Sequence, residues 1–395
     1  MRISGENIKI LQEIGFVEDI YDNSTHDLRA QTKLEKAYGK SLGRFATMQR
    51  KIIPKALKKI PTWHKHKCFY LPKSYEQSTS EAVAKVKMEL FKGGDNLLSL
   101  TGGLGVDDWA LSNKYKEIIS LDTNEDLNRI VRINYDKLGT SDINRVHSSA
   151  EDFLASTDIS FDTYYIDPDR RDEKGAKGLD ATVFSPNILS ILETHPEIKK
   201  DLWIKLSPAT DLTWIRENIH PLIDVYIIDY QQEVKEVLCH LSPVQNGLLE
   251  IISIHAETHR ISKNTEALLT PSHFEVLWEP SSSLIKSNFL HSSKLELALK
   301  PCNENKTLFC GASLLPPWYG KFWNILEKGT GGMKQLKREL TRLGILNASV
   351  TCKTYPLKPA EIMKKLKLKE SSKHQIYFTT HQGNKEWFIV ERFER

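Results

Sequence analysis

A chain of 395 residues, 40% hydrophobic and 27% charged, is too long for one ordinary core and too evenly mixed for a fibrous or disordered protein, so several domains with buried interiors are expected. No apolar run approaches the length of a bilayer, and the start MRISGENIKILQEIG has no charged-then-apolar leader pattern, so a cytoplasmic protein without a membrane segment is expected. The net charge of +4 conceals a segment, Lys36 to Tyr75, with eleven Lys or Arg and no Asp or Glu, which leaves the remainder at −7.

Residues 1–76 read as helical. IKILQEI and QRKIIPKALKKI place apolar residues at helical intervals, with Pro54 and Pro61 as interruptions. The basic segment also carries Tyr38, Phe45, Trp63, Phe69, Tyr70 and Tyr75, and cations beside stacking faces favour single-stranded nucleic acid. The alternative is a solvated basic face over aromatic core anchors. His64-x-His66-x-Cys68 lacks a second ligand pair at zinc spacing, so no metal site is expected. The five cysteines form no C-x-x-C pair and are read as reduced and structural.

QSTSEAVAKVKMELFKGG predicts a helix with Ser/Thr caps before Glu81, an apolar face of Val83, Val86 and Leu90, and a stop at Gly93-Gly94. From Asn96 to Ile254, apolar runs NLLSL, EIISLD, FDTYYIDPD, DLWIKLS and VYIIDY alternate with helix-length segments. That alternation predicts an α/β, doubly wound, Rossmann-like sheet with its ligand at the carboxyl ends of the strands. After residue 260 a short unit around FEVLWEPSSSLIKSNFL and LFCGASLLPPWYG precedes a helix, strand, helix and hairpin. There Leu336, Leu340 and Leu343 share a helix face, and QIYFTT and EWFIVERF flank the turn Gln382-Gly383-Asn384.

The glycine stretch NLLSLTGGLGVDDWALS decides the ligand class. A dinucleotide fingerprint needs a third glycine where Asp108 stands, and Asp107 with Asp108 put negative charge at the helix start that a diphosphate would meet. S-adenosylmethionine, with a sulfonium, an ammonium and no phosphate, suits the stretch better. The sequence here resembles the class I S-adenosylmethionine-dependent methyltransferases, whose first motif runs acidic-x-G-x-G-x-G. Gly103 and Gly105 fit it, and Ser99 and Thr101 replace the acid and the first glycine. The resemblance implies that Thr101, Gly102, Gly103, Gly105 and Asp107 line the methionine end of the cofactor. Asp122, ending EIISLD, would take the ribose hydroxyls, and Glu151 or Asp152 of VHSSAEDFL the adenine.

YYIDPDRRDEKG places Asp167-Pro168 where amino-group and base methyltransferases carry Asp/Asn-Pro-Pro-aromatic or Asp-Pro-Pro-Arg. Methyl transfer is an in-line displacement, so the protein must chiefly aim a nucleophile. Asp167 is the expected catalytic residue, with Pro168 fixing the turn, Arg170 on a phosphate and Arg171 beside it unless it pairs with Asp172 or Glu173. Leu206-Ser207-Pro208 stands where RNA 5-methyluridine enzymes carry Cys-Asn-Pro. Without that thiol, methylation of a base nitrogen is favoured over a pyrimidine carbon, with Lys205 or Ser207 near the base.

Across the chain, LTGGLGVD, IDPDRRD, KLSPATDL, WEPSSSLIKSNFL and YPLKPAEIMKKLKLKESS resemble the PG_1098-like group of class I methyltransferases. After the helical basic domain read at 1–76, the resemblance implies a methyltransferase domain at 77–262, a ferredoxin-like domain at 263–320 and a THUMP-like domain at 321–395. It also implies an RNA substrate, rRNA or tRNA. Gly331 to Lys373 agrees, with eleven Lys or Arg against three Glu. The alternatives are a non-catalytic RNA-binding protein that retains the fold, or a methyltransferase for DNA, protein or a small molecule.

Overall fold

The N-terminal region forms helices, as its apolar spacing predicts: α1 Gly5–Gln12, α2 Ile14–Tyr21, α3 Leu28–Lys59, α4 Pro61–Lys65 and α5 Pro72–Gln77. The computed structural model describes residues 5–21, 28–140, 142–169, 184–244, 246–266, 269–291, 299–330 and 332–393. They divide into two units, Met1–Val225 with Glu236–Leu248, and Tyr226–Lys235 with Leu249–Arg395.

Two expectations for this region are corrected. Helix α3 continues through Pro54 and is broken instead at Gly39, whose φ of 80° and ψ of 161° are not helical. Packing of Ile52, Ile53 and Ala56 on either side of the proline holds the helix through it. The aromatics of the basic segment are not stacking platforms. Phe45, Trp63, Phe69, Tyr70 and Tyr75 are buried, and the Tyr38 hydroxyl donates to Asp19. Hydrophobic burial has claimed the rings and left the lysines outside.

Helix α6, Glu81–Leu90, leads into the sheet. Ser80 is its N-cap residue, but its hydroxyl makes no capping bond, contrary to expectation. The Glu81 carboxylate instead accepts from Thr62 N (2.7 Å) and Thr62 Oγ1 (2.6 Å), tying α6 to α4. The helix ends at Phe91, ahead of the glycine pair, and Gly94 opens the first strand.

In the first unit β1 (Gly94–Ser99), β2 (Tyr115–Asp122), β3 (Ile143–His147), β4 (Thr163–Ile166) and β5 (Leu202–Leu206) lie parallel in the order β3-β2-β1-β4-β5. Helices α7 (Val106–Leu111), α8 (Glu125–Leu138) and α9 (Ala150–Ser156) connect them. Leu97, Leu98, Ile118, Leu121, Ile166 and Ile204 are inaccessible, the continuous apolar character of strands covered on both faces. The chain runs outward from β1 in one direction and returns to β4 on its other side, so the strand order reverses there. In such sheets a ligand crevice opens at that reversal, at the carboxyl ends. After β6 (Asp224–Tyr230), strand β7 (Glu233–Leu241) turns back antiparallel beside β5, a reversal the apolar runs do not reveal.

In the second unit β8 (Leu249–Ile254) and β9 (Thr258–Ser262) form a hairpin. Strands β10 (Thr270–Pro280), β11 (Leu299–Pro301), β12 (Phe309–Leu314), β13 (Gly320–Gly329), β14 (Ser349–Cys352), β15 (His374–His381) and β16 (Asn384–Arg392) make one sheet in the order β11-β12-β10-β13-β16-β15-β14. Helices Met333–Arg342 and Pro359–Leu366 bury Leu336, Leu340, Ile362 and Leu366 with Ile376, Phe378, Trp387 and Ile389, and Leu343, just past its helix, packs partly buried against them. Cys302 and Cys310 are joined in a disulfide, correcting the reading of all five cysteines as reduced, because pairing of β11 with β12 brings their Cα atoms to 6.3 Å. Among the described residues no helix is long and apolar enough to cross a membrane.

Candidate active site

The glycine turn sits at the carboxyl end of β1. Gly102 N donates to Leu121 O (2.6 Å) and Gly105 N to Gly102 O (2.9 Å), which folds the turn against β2. A β-carbon on Gly102 would stand 2.0 Å from Arg145 Nη1 and 2.2 Å from Ser120 Oγ, so only glycine fits. Gly105 starts α7 with φ +87°, and a β-carbon there would meet the Tyr135 hydroxyl at 2.1 Å. Gly103, with φ +52°, is different: the space where its β-carbon would project is open.

Beneath the turn lies Arg145, a residue the sequence does not single out. Its side chain is inaccessible; Nε donates to Asn128 Oδ1 (2.6 Å), Nη1 to Ser120 Oγ (2.9 Å) and Nη2 to Gly103 O (2.6 Å). Nη2 also lies 3.4 Å from Asp122 Oδ2, and Nη1 3.7 Å from Asp108 Oδ2. Burial pushes the Asp108 carboxyl up, against the pull of Arg145 and the Ser120 hydroxyl. The one sequence signal is an arginine inside the strand INRVH, two residues from Ile143 and so on the same strand face.

Asp122 ends β2 beside this turn. Its Oδ2 accepts Gly103 N–H (3.1 Å) and its Oδ1 accepts Asn124 N–H (2.8 Å), and the side chain remains part exposed. Glu151 and Asp152 occupy the first turn of α9. Asp152 is engaged in the helix cap, its Oδ2 accepting from Ser149 Oγ (2.7 Å) while Ser149 Oγ accepts Asp152 N–H (3.0 Å). Glu151 is exposed.

Asp107 points into a buried cluster of charges. Its Oδ2 accepts from Thr79 Oγ1 (2.8 Å) and the Tyr165 hydroxyl (2.9 Å), and its Oδ1 lies 3.1 Å from Lys87 Nζ. Lys87 is buried and also pairs with Glu236 of β7 at 2.8 Å. Burial would raise the Asp107 pKa, but Lys87 and Lys205 outweigh it and hold the carboxyl at about 2. Burial pushes Glu236 the other way.

Lys205 joins this cluster to the next strand end. Its Nζ donates to Asp167 Oδ2 at 2.5 Å and to Thr79 Oγ1 at 3.3 Å, and lies 3.9 Å from Asp107 Oδ2. Burial favours neutral lysine, yet Asp167, Asp107 and Glu236 together raise its pKa above the ordinary value, so it stays an ammonium. Asp167 follows β4 and is about one-third exposed, and its N–H donates to Thr101 Oγ1 at 2.6 Å. That bond ties the glycine turn to the Asp167-Pro168 turn. Pro168 is buried, and Asp169 accepts from Gln77 Nε2 (3.2 Å) with Lys73 Nζ 3.9 Å away. Ser207, after β5, is half-buried and accepts Ala209 N–H. Arg170 and Arg171, expected on phosphate, lie outside the described residues.

The structure thus gathers Thr101, Gly103, Asp122, Asp167 and Lys205 at the carboxyl ends of adjacent strands. Residues 320–392 match the family described as THUMP domain-like. The fold is similar to that of a protein from Porphyromonas gingivalis W83 assigned as a methyltransferase, at TM-score 0.78 and 19% identity over 100% of both chains. A Streptococcus mutans protein assigned as a methyltransferase and crystallised in complex with SAH covers 41% of this chain and 95% of its own, at 13% identity and TM-score 0.31. An rRNA methylase from Streptococcus thermophilus covers 41% and 95%, at 14% identity and TM-score 0.30. No curated protein matches the chain by sequence. The chain shares its Rossmann-like fold over its whole length with the Porphyromonas protein, and its residues 320–392 are THUMP-like.

Proposed function

We propose that the protein is an S-adenosylmethionine-dependent methyltransferase acting on a base nitrogen of RNA, rRNA or tRNA. The observation that carries this is the Thr101–Asp167 hydrogen bond, which sets a turn suited to the cofactor directly beside a carboxylate suited to an amine. Two features support this cofactor: the space over Gly103 is open, and the part-exposed Asp122 carboxylate beside it would receive the ribose hydroxyls. Thr101, Gly102 and Gly105 shape the methionine end of that cradle. Asp107 acts there through Lys205 and Lys87, the two cations its carboxylate faces. Glu151 takes the adenine in this reading, because Asp152 is engaged in a helix cap.

Bound S-adenosylmethionine supplies an electrophilic methyl group. The protein's task is then alignment. Asp167 Oδ2 is fixed by Lys205, so the carboxylate is oriented and its other oxygen is left to accept a hydrogen bond from an exocyclic amine. Lys205, held as an ammonium, positions Asp167 and does not remove a proton. Pro168 keeps the turn rigid, Ser207 stands after the neighbouring strand where a base edge would lie, and Arg170 and Arg171 follow in sequence as phosphate ligands.

The test is calorimetric titration of S-adenosylmethionine into the wild type and Asp122→Ala. The substitution should weaken binding about tenfold or more through lost ribose hydrogen bonds. A wild type that binds no cofactor, even with RNA present, would sink the enzymatic reading and leave a non-catalytic RNA-binding protein.

A further inference from the structure

The exposed side of α3 carries a line of cations. Lys40, Arg44, Lys51, Lys55 and Lys58 are all exposed, and all follow the break at Gly39. At 3.6 residues per turn these positions fall within about 60° of one another around the helix axis, and at 1.5 Å per residue they span about 27 Å. Leu42, Phe45, Ala46, Gln49, Ile52, Ile53 and Ala56 occupy the opposite side and are buried. Gln49 is locked there by two hydrogen bonds to Tyr70, donating to its carbonyl (2.6 Å) and accepting its N–H (2.8 Å). The helix therefore cannot rotate its charges inward.

The line is poorly neutralised. Segment 36–75 contains no acidic residue, and among the described residues Arg44 has one ion partner, Glu35, at 3.7 Å. A row of like charges with one counter-ion among the described residues repels itself, so its natural complement is a polyanion.

The line also leads to the candidate active site. Lys59, the next residue after Lys58, donates to Tyr75 O (2.6 Å) and Glu76 O (3.1 Å), and burial together with the nearby Lys205 charge lowers its pKa to about 8. The next residue, Gln77, bonds Asp169, and Lys73 lies 3.9 Å from the same carboxylate. The C-terminal end of α3 thus borders the Asp167-Pro168 turn.

We propose that the exposed face of α3 is a phosphate track, along which the backbone of the substrate RNA is held on its way to the Asp167 centre. This rests on the RNA methyltransferase reading for the identity of the polyanion. Phe45, Trp63, Phe69, Tyr70 and Tyr75 are buried and Tyr38 is half-buried against Phe16, so the track contacts phosphates without stacking on bases and supplies affinity without sequence preference.

The test uses fluorescence anisotropy of a labelled 20-nucleotide RNA hairpin at several salt concentrations, with wild type, Lys51→Ala/Lys55→Ala/Lys58→Ala and Lys51→Arg/Lys55→Arg/Lys58→Arg. Each phosphate contact contributes about 0.7 to 0.9 to the slope of log affinity against log salt, so the alanine triple should flatten the slope by about 2 and bind about tenfold or more weakly. The arginine triple should bind like the wild type. An alanine triple with unchanged slope, or an arginine triple as weak as the alanine one, would overturn the track. Tighter binding of the DNA hairpin of the same sequence would overturn the RNA assignment. Calorimetry of S-adenosylmethionine on the same proteins separates the two readings: a wild type that fails to bind cofactor while the salt slope still follows Lys51, Lys55 and Lys58 removes the enzyme and leaves the track.

Discussion

Gly102 leaves no room for a β-carbon beside Arg145. With the β-carbon position of residue 102 lying 2.0 Å from the guanidinium and 2.2 Å from Ser120 Oγ, an added methyl must displace the group that holds Gly103 O and faces Asp122. Gly102→Ala should therefore lower stability by about 1–3 kcal/mol, the usual range for overpacking, and weaken cofactor binding through the shifted Asp122. Urea denaturation and calorimetry check both; a variant as stable as wild type that binds cofactor normally would show that the arginine moves aside freely. Half of this pair is legible in the sequence. Glycines between an apolar strand and a helix advertise a backbone that approaches something closely. Arg145 does not advertise itself, because its partners Asp108, Asp122, Asn128 and Ser120 come from three other elements that only the folded sheet assembles.

At the scale of elements, α6, the start of α7, β5 and β7 are joined by ions: Lys87, Asp107, Lys205 and Glu236. Asp107 has its pKa held at about 2, below the ordinary carboxylate value of 3.8, because the two lysines outweigh burial. A depressed folded-state pKa contributes stability that is complete above the unfolded value and is lost as the pH falls through the folded one. The Asp107 contribution should therefore be complete above pH 5 and fade between about pH 4 and 2, and it amounts to about 2 kcal/mol. Asp107→Asn is expected to unfold more easily than wild type at pH 7, with the difference closing toward pH 2, as measured by urea denaturation across that range. A difference independent of pH would mean that the carboxylate acts by shape alone. Apolar runs made β1, β2, β4 and β5 legible, since parallel strands covered on both faces read as unbroken hydrophobic stretches, and VYIIDY marked β6. Strand β7 was not legible as an antiparallel insertion, nor Glu236 as a partner of Lys87, because direction and neighbour are set by packing far along the chain. The rings of segment 36–75 failed for a related reason: the same residue types serve a core and a stacking surface, and only burial tells them apart.

For the whole molecule, charge is distributed as a basic segment on an otherwise acidic chain, with a second cluster of cations in the THUMP-like domain. There Lys364, Lys365 and Lys367 are exposed at the end of helix Pro359–Leu366, where the terminal carbonyls favour positive charge. On the proposed RNA reading, each basic surface contributes its own phosphate contacts to binding. The effects of removing them should then add in free energy, as for separate sites without shared partners. Lys364→Ala/Lys365→Ala/Lys367→Ala should flatten the salt dependence of RNA binding by about 2. Combined with the α3 alanine triple, the total loss should approach about 4, with the two affinity losses multiplying. Anisotropy titrations of the four proteins against the same hairpin decide it. A combined variant that binds no more weakly than the α3 triple would mean that the C-terminal cations do not touch this RNA, and that domain would then need another ligand to account for its charge.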